Sequence, residues 1–136
     1  MGGSALGKHY AFLPRLLEAR WLAKQSECSA MMDLTDGLGK DLSILCPDKC
    51  AAKIDLDAIP IDSSAHKIAK VSKRNALEHA MCDGEDYELL FSITGSSDRS
   101  KFESRWAVAF PDLSLSNIGV FVVDSRTSKL LDTNTN

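Results

Sequence analysis

Ala30-Met31-Met32-Asp33-Leu34-Thr35-Asp36-Gly37-Leu38 is the stretch whose reading decides the fold. Residues 30–34 are mostly apolar and read as a short buried strand, which ends on an acidic turn. Beyond the turn the apolar spacing becomes helical, with Leu38, Leu42 and Leu45 at i, i+4 and i+7. Pro47 cannot continue that helix, so it is expected over 37–46. A strand that passes through a turn into a helix predicts a chain of interleaved α and β elements.

The flanking sequence extends this pattern. Residues 13–24 read as a helix, with Pro14 in its first turn and Leu13, Leu16, Leu17 and Trp21 on one face. Residues 51–57 alternate, Ala52, Ile54 and Leu56 against Lys53, Asp55 and Asp57, as in a half-buried strand. Residues 62–81 read as helix, opened by Asp62 or Ser63, with a break expected near Arg74-Asn75. The clearest strand is 87–93, where Tyr87, Leu89, Phe91 and Ile93 point one way and Glu88, Leu90 and Ser92 the other. Gly95-Ser96-Ser97-Asp98 is a turn and cap before a helix carrying Phe102, Trp106 and Phe110. The stripes containing Trp21 and Trp106 are read as core, and a last strand covers 115–123. The expected fold is α+β, a mixed four-stranded sheet covered by helices, in one domain over 1–123 with a polar, frayed tail over 124–136.

Composition narrows the function. A chain of 136 residues buries roughly two thirds of its unfolded surface and folds without disulfides. A net charge of −3, with no basic stripe interleaved with aromatics, argues against a nucleic-acid partner. The apolar runs are too short for a membrane span. Residues 1–12 lack a charged start followed by an apolar stretch, so a cytoplasmic location with reduced thiols is expected. Of the four cysteines, Cys28 and Cys82 are isolated. Cys46 and Cys50 form a C-x3-C pair with no second pair at zinc spacing, and all are read as structural thiols. His9, His66 and His79 are scattered and are expected at the surface or as caps. Gly2 to Lys8 is not a P-loop, because its glycine spacing differs and no Ser or Thr follows Lys8.

Two acidic turns carry the candidate chemistry. Asp33, Thr35 and Asp36 place two carboxylates and a hydroxyl between a strand and a helix. Mg²⁺ takes oxygen ligands, commonly one or two carboxylates together with substrate phosphates. Free amides at a helix N-terminus bind phosphate, and Gly37 and Gly39 leave room for it. A plain N-cap at Thr35 or Asp36 explains those two residues equally well, but capping does not require Asp33. The second turn, Asp83-Gly84-Glu85-Asp86-Tyr87-Glu88, holds four carboxylates directly before a strand. It reads either as a solvated turn or as a site for a cation, with Glu85 or Asp86 facing it.

These turns resemble the motifs of thiamine-monophosphate kinase. Met32 to Leu38 followed by Asp41-Leu42 is similar to that family's Asp-x-Ser-Asp-Gly-Leu motif, and Asp83 to Phe91 to its Gly-Gly-Glu-Asp-Tyr-Glu-Leu motif. Pro14-Arg15 through Leu22, and Ile54 to Asp57 with Pro60, also fit. The resemblance runs from about residue 2 to residue 123 and matches only the C-terminal domain of a two-domain enzyme. Sister enzymes, among them aminoimidazole ribonucleotide synthetase and selenophosphate synthetase, share the fold but differ at the second motif.

The resemblance implies ATP- and Mg²⁺-dependent transfer of a phosphoryl group onto thiamine monophosphate, giving thiamine diphosphate, in a homodimeric enzyme. By that resemblance Asp33 and Asp36 bind Mg²⁺, Thr35 contacts ATP where the family has serine, and Glu85 meets the thiamine moiety. It also implies that an N-terminal domain carries most of the nucleotide- and metal-binding acids, so this chain alone is expected to be inactive. No residue is assigned as a catalytic acid, base or nucleophile. Two departures stand out: Asp83 replaces the first glycine of the second motif, and Thr133 to Asn136 offers no match to the family's C-terminal aromatic. A sister synthetase acting on another acceptor and a non-catalytic binding fragment are the alternatives.

Overall fold

A computed structural model describes residues 12–124 and the strand at 130–132. His9, the Gly2 to Lys8 segment and residues 133–136 lie outside the described residues. Eleven elements become ten once the short 3-10 turn Leu56–Ala58 is set apart: α1 Leu16–Leu22, β1 Cys28–Asp33, α2 Leu38–Leu45, β2 Cys50–Ile54, α3 Ser63–Ala69, α4 Ala76–Cys82, β3 Leu89–Ile93, α5 Arg99–Ala109, β4 Gly119–Val123 and β5 Leu130–Asp132.

The strands form two sheets, where the sequence predicts one of four strands. β1 pairs antiparallel with β3, setting Met32 opposite Leu90 and Asp33 opposite Leu89. β2 lies between β4, antiparallel, and β5, parallel, so this second sheet is mixed. Alternation reports which face of a strand is buried, but it carries no information about which edge is paired. β3 and β4 both line a cleft of about 750 Å³ instead of pairing with one another. The tail expected to be frayed supplies β5, because the open edge of β2 offers hydrogen bonds to it.

The period of two in β3 places its side chains in two cores. Leu90 joins Leu34, Leu38, Leu42, Ala52, Ile54, Ile59 and Ala80 in one cluster, and Met32 packs against it. Leu89, Phe91 and Ile93 pack on the other side, against Leu22, Phe102 and Trp106. The first core therefore joins both sheets through α2 and α4, while α1 and α5 cover the outer face of β1 and β3. Trp21 meets Phe102 and Trp106 edge-on, with centroids 5.6 and 5.7 Å apart. The Trp106 indole N–H donates to the Leu113 carbonyl at 3.0 Å, so its one polar atom is satisfied.

One helix expectation needs correction, and one expected helix break is found. α1 begins at Leu16 and buries Leu22, whereas Leu13, Leu16 and Leu17 are 79%, 62% and 71% exposed. The leucines on that stripe are spaced for a helix, but it is Trp21 and Leu22, at the C-terminal end of α1, that join the core. The 62–81 helix is two helices. Asp62 caps α3 by accepting from Ser64 N–H, and Asn75 and Glu78 form a reciprocal capping box that starts α4 afresh. No helix among the described residues is long and apolar enough to cross a membrane.

Phe102→Ala is expected to lower stability by about 3–5 kcal/mol, the usual result of emptying a buried aromatic site. Asn75→Ala is expected to lower it by about 1 kcal/mol through loss of the cap. Urea denaturation of the purified chain measures both.

Candidate functional site

The first acidic turn is built around a buried carboxylate. Leu34, immediately after β1, is 2% exposed and anchors the turn in the core. Asp41, in the first turn of α2, is fully buried. Its Oδ2 accepts the backbone N–H groups of Thr35 at 2.8 Å and Asp36 at 3.0 Å. Its Oδ1 is buried with no hydrogen-bond partner among the described residues. Hydrogen bonds to an ionised acceptor are the strong ones, so this pair fixes the backbone of the turn.

Asp41 changes the phosphate reading of the turn. The amides of Thr35 and Asp36, on the turn that leads into α2, point inward onto Asp41 and are not open to a phosphate. The plain N-cap alternative is not seen either, since Gly37 is the N-cap residue of α2 and no side chain caps it. Gly37 adopts φ 96°, and a Cβ there would stand 2.9 Å from the Met81 carbonyl oxygen. The glycine thus admits the end of α4, an internal neighbour, to the start of α2.

The side chains of Asp33, Thr35 and Asp36 are left exposed around this fixed turn. The Asp36 carboxylate pairs with Lys40 one helical turn on, at 2.7 Å. That hydrogen bond, with the attraction of the same carboxylate, raises the Lys40 pKa above its ordinary value. Among the described residues, no three His, Cys, Asp or Glu side chains stand close enough to hold an ion together. The donors offered are oxygen only, which suits a hard cation that completes its shell with phosphate and water.

The second acidic turn is laced to the first through the backbone. Leu34 N–H donates to the Glu88 carbonyl and Tyr87 N–H to the Leu34 carbonyl, both at 2.9 Å, while Glu85 N–H donates to the Thr35 carbonyl at 2.8 Å. At Gly84 a Cβ would overlap the Thr35 carbonyl oxygen, so only glycine allows this approach. Glu85 and Tyr87 sit at φ 63° and 52°, a conformation uncommon for residues with side chains. Their amides are the ones bonded to the first turn, which holds them in it.

The four carboxylates of this turn have different surroundings. Both oxygens of Asp83 are paired, with Arg74 at 3.0 Å and His79 at 2.6 Å. The departure from glycine at this position therefore adds a neutralised charge. Asp86 is 6% exposed and Glu85 is exposed. Glu88 receives two hydrogen bonds from Arg15, at 2.8 and 3.1 Å, and the first of these holds the Arg15 guanidinium above its ordinary pKa. Phe12 stacks on Tyr87 with centroids 4.2 Å apart. His79, expected at the surface, is 4% exposed because α4 turns it inward between Ser72 and Asp83.

The sequence profile of AIR synthase related protein, C-terminal domain, matches residues 3–125. The chain belongs to this family. It is similar to the thiamine-monophosphate kinase of Rhodopirellula baltica, 36% identical over 109 residues that make up 79% of this chain and 34% of that relative. It therefore spans about a third of the length of that relative, and the match covers 19% to 27% of the other curated thiamine-monophosphate kinases it resembles. The crystal structure of thiamine-monophosphate kinase from Stenotrophomonas maltophilia K279a superposes with a TM-score of 0.68 at 27% identity, over 88% of this chain and 35% of that one. A solved structure of AaThiL complexed with AMPPCP and TMP shares the fold, with a TM-score of 0.68 at 22% identity over 96% of this chain and 38% of that one.

In this AIR synthase related domain, three structuring residues escaped the reading of the sequence as site residues: Asp41, Arg15 and His79. Asp41 had a visible signal, a charge set between the apolar positions Leu38 and Leu42. Arg15 lay in a stretch that fits the family resemblance, but neither its partner Glu88 nor the partners of His79 could be read from the sequence. Asp41→Ala removes the acceptor of the Thr35 and Asp36 amides and is expected to lower stability by about 1–3 kcal/mol. Asp41→Asn, which keeps one acceptor oxygen, should lose less. Chemical denaturation of both variants checks the order.

Proposed function

We propose that this chain forms the C-terminal part of an ATP- and Mg²⁺-dependent kinase that phosphorylates thiamine monophosphate to thiamine diphosphate. The observation that carries the reading is the backbone lacing of the two acidic turns, with Glu85 N–H on the Thr35 carbonyl at 2.8 Å. It brings the residues read as metal- and nucleotide-facing next to the residue read as acceptor-facing. The similarity to thiamine-monophosphate kinases over most of this chain supports the same assignment.

In this reading Asp33 and Asp36 hold Mg²⁺, and the Thr35 hydroxyl contacts ATP. Bound Mg²⁺ would neutralise charge on the transferring phosphate groups. The exposed Glu85 carboxylate orients the acceptor through the fixed positive charge of thiamine. Asp41 keeps Thr35 and Asp36 in place by holding their amides. Lys40 holds the Asp36 carboxylate and yields it when the metal binds. Phosphoryl transfer proceeds by positioning and charge neutralisation, and it needs no protein nucleophile. A further N-terminal domain supplies the other wall of the site, and the enzyme works as a cytoplasmic homodimer.

Asp33→Asn and Asp36→Asn in the complete protein are each expected to lower turnover by about 10²-fold or more while the fold persists. Steady-state kinetics with thiamine monophosphate and Mg²⁺-ATP, alongside circular dichroism, measures this. Unchanged turnover in both variants would refute the metal role. The chain by itself should show little or no kinase activity, and robust turnover from it would refute the need for a second wall.

A further inference from the structure

Ser72, His79 and Asp83 form a chain of short hydrogen bonds at the end of α4. The His79 ring is buried, with Nδ1 2.6 Å from Asp83 Oδ2 and Nε2 2.6 Å from Ser72 Oγ. A carboxylate accepts only, so Nδ1–H donates to Asp83, while Nε2 is paired with the Ser72 hydroxyl. Asp83 Oδ1 accepts from Arg74 at 3.0 Å, and the same guanidinium donates to the Glu78 carbonyl at 2.9 Å. The network ties the α3–α4 loop, the last turn of α4 and the start of the second acidic turn into one unit.

The order serine, histidine, aspartate matches a nucleophilic triad. The surroundings do not. Ser72 lines neither the cleft along β3 and β4 nor the one around Glu27 and Arg105. Its Oγ lies against the backbone of Arg74, 3.4 Å from both the amide nitrogen and the carbonyl oxygen. The network holds the chain in place and does not attack a substrate.

What it holds is the approach to Glu85. Asp83 is the C-cap of α4, and its N–H donates to the His79 carbonyl at 2.9 Å. The next residue, Gly84, is pressed against the Thr35 carbonyl with no room for a Cβ. Glu85 follows at φ 63°, its amide bonded to that same carbonyl. One residue separates the clamped Asp83 from Glu85, and that residue packs directly against the backbone of the first turn.

We propose that His79 is a positioning residue for the acceptor: through Asp83 it fixes the turn that carries Glu85, and so sets acceptor affinity without touching either substrate. The proposal rests on the role given to Glu85 above. It explains why a buried histidine is paired at both ring nitrogens beside an exposed turn.

In the complete protein, His79→Leu removes both ring hydrogen bonds. The KM for thiamine monophosphate should rise about tenfold, while kcat and the KM for ATP stay within about twofold. His79→Asn, whose amide can still donate to Asp83, should recover most of the acceptor affinity. Ser72→Ala removes only the outer partner and should raise the same KM about threefold, which keeps the test open if His79→Leu fails to fold. Hydrogen exchange at the Glu85 and Tyr87 amides should quicken in His79→Leu and not in His79→Asn. An unchanged KM with unchanged exchange in the folded variants, or a fall in kcat with no change in KM, would overturn the proposal. If thiamine monophosphate is not a substrate at all, the function proposed above fails. Exchange then still decides the clamp, quickened exchange supporting it and unchanged exchange overturning it.

Discussion

The buried carboxylate of Asp41 organises the candidate site. It sits on α2 but acts on the turn that precedes α2, drawing the amides of Thr35 and Asp36 toward the core. A buried charge is tolerated where charge-assisted hydrogen bonds replace its lost water. Two amides on Oδ2 do part of this, and the unpartnered Oδ1 shows that the burial is not fully compensated within the described residues. These inward bonds fix the backbone at Thr35 and Asp36, whose side chains are exposed, as is that of Asp33 at the end of β1. A turn held only by solvent would present the same three residues without a common orientation.

From that fixed turn the structure builds outward by backbone contact. Leu34 carries the ladder between β1 and β3 one step past the strands, and Thr35 extends it to Glu85. Gly84 and Gly37 permit the close approaches on either side, one to the first turn and one to α4. Arg15, from the residue preceding α1, grips Glu88 with two hydrogen bonds, so an element 73 positions away braces the second turn. The site is thus set by the joints between elements and not by any single motif.

The charge distribution acquires a different meaning in three dimensions. Four carboxylates in six residues suggest mutual repulsion. In the fold Asp83 is matched by Arg74 and His79, Glu88 by Arg15, and Asp86 is buried. Glu85 is the one left exposed, beside the exposed acids of the first turn. Pairing and burial thus set apart four carboxylates that are close neighbours in sequence.

Much of this was legible in the sequence, and the division has a physical basis. Element types followed from local periodicity: the alternation in 87–93 placed Leu90 in one core and Leu89, Phe91 and Ile93 in the other. The break near Asn75 followed from capping chemistry, which is also local. The residue types of the two acidic turns pointed to oxygen-ligand and phosphate chemistry before any contact was known. Strand pairing, the exposure of Leu13, Leu16 and Leu17, the burial of His79 and the inward capture of the Thr35 and Asp36 amides were not legible. Each depends on the path of the backbone and on what packs against a residue, which periodicity does not encode. The sequence by itself determined the elements and the chemical character of the turns, because propensity and periodicity act over a few residues. The tertiary structure alone decided which carboxylates are matched and which are presented, because hydrogen bonds and burial depend on neighbours that sequence distance does not reveal.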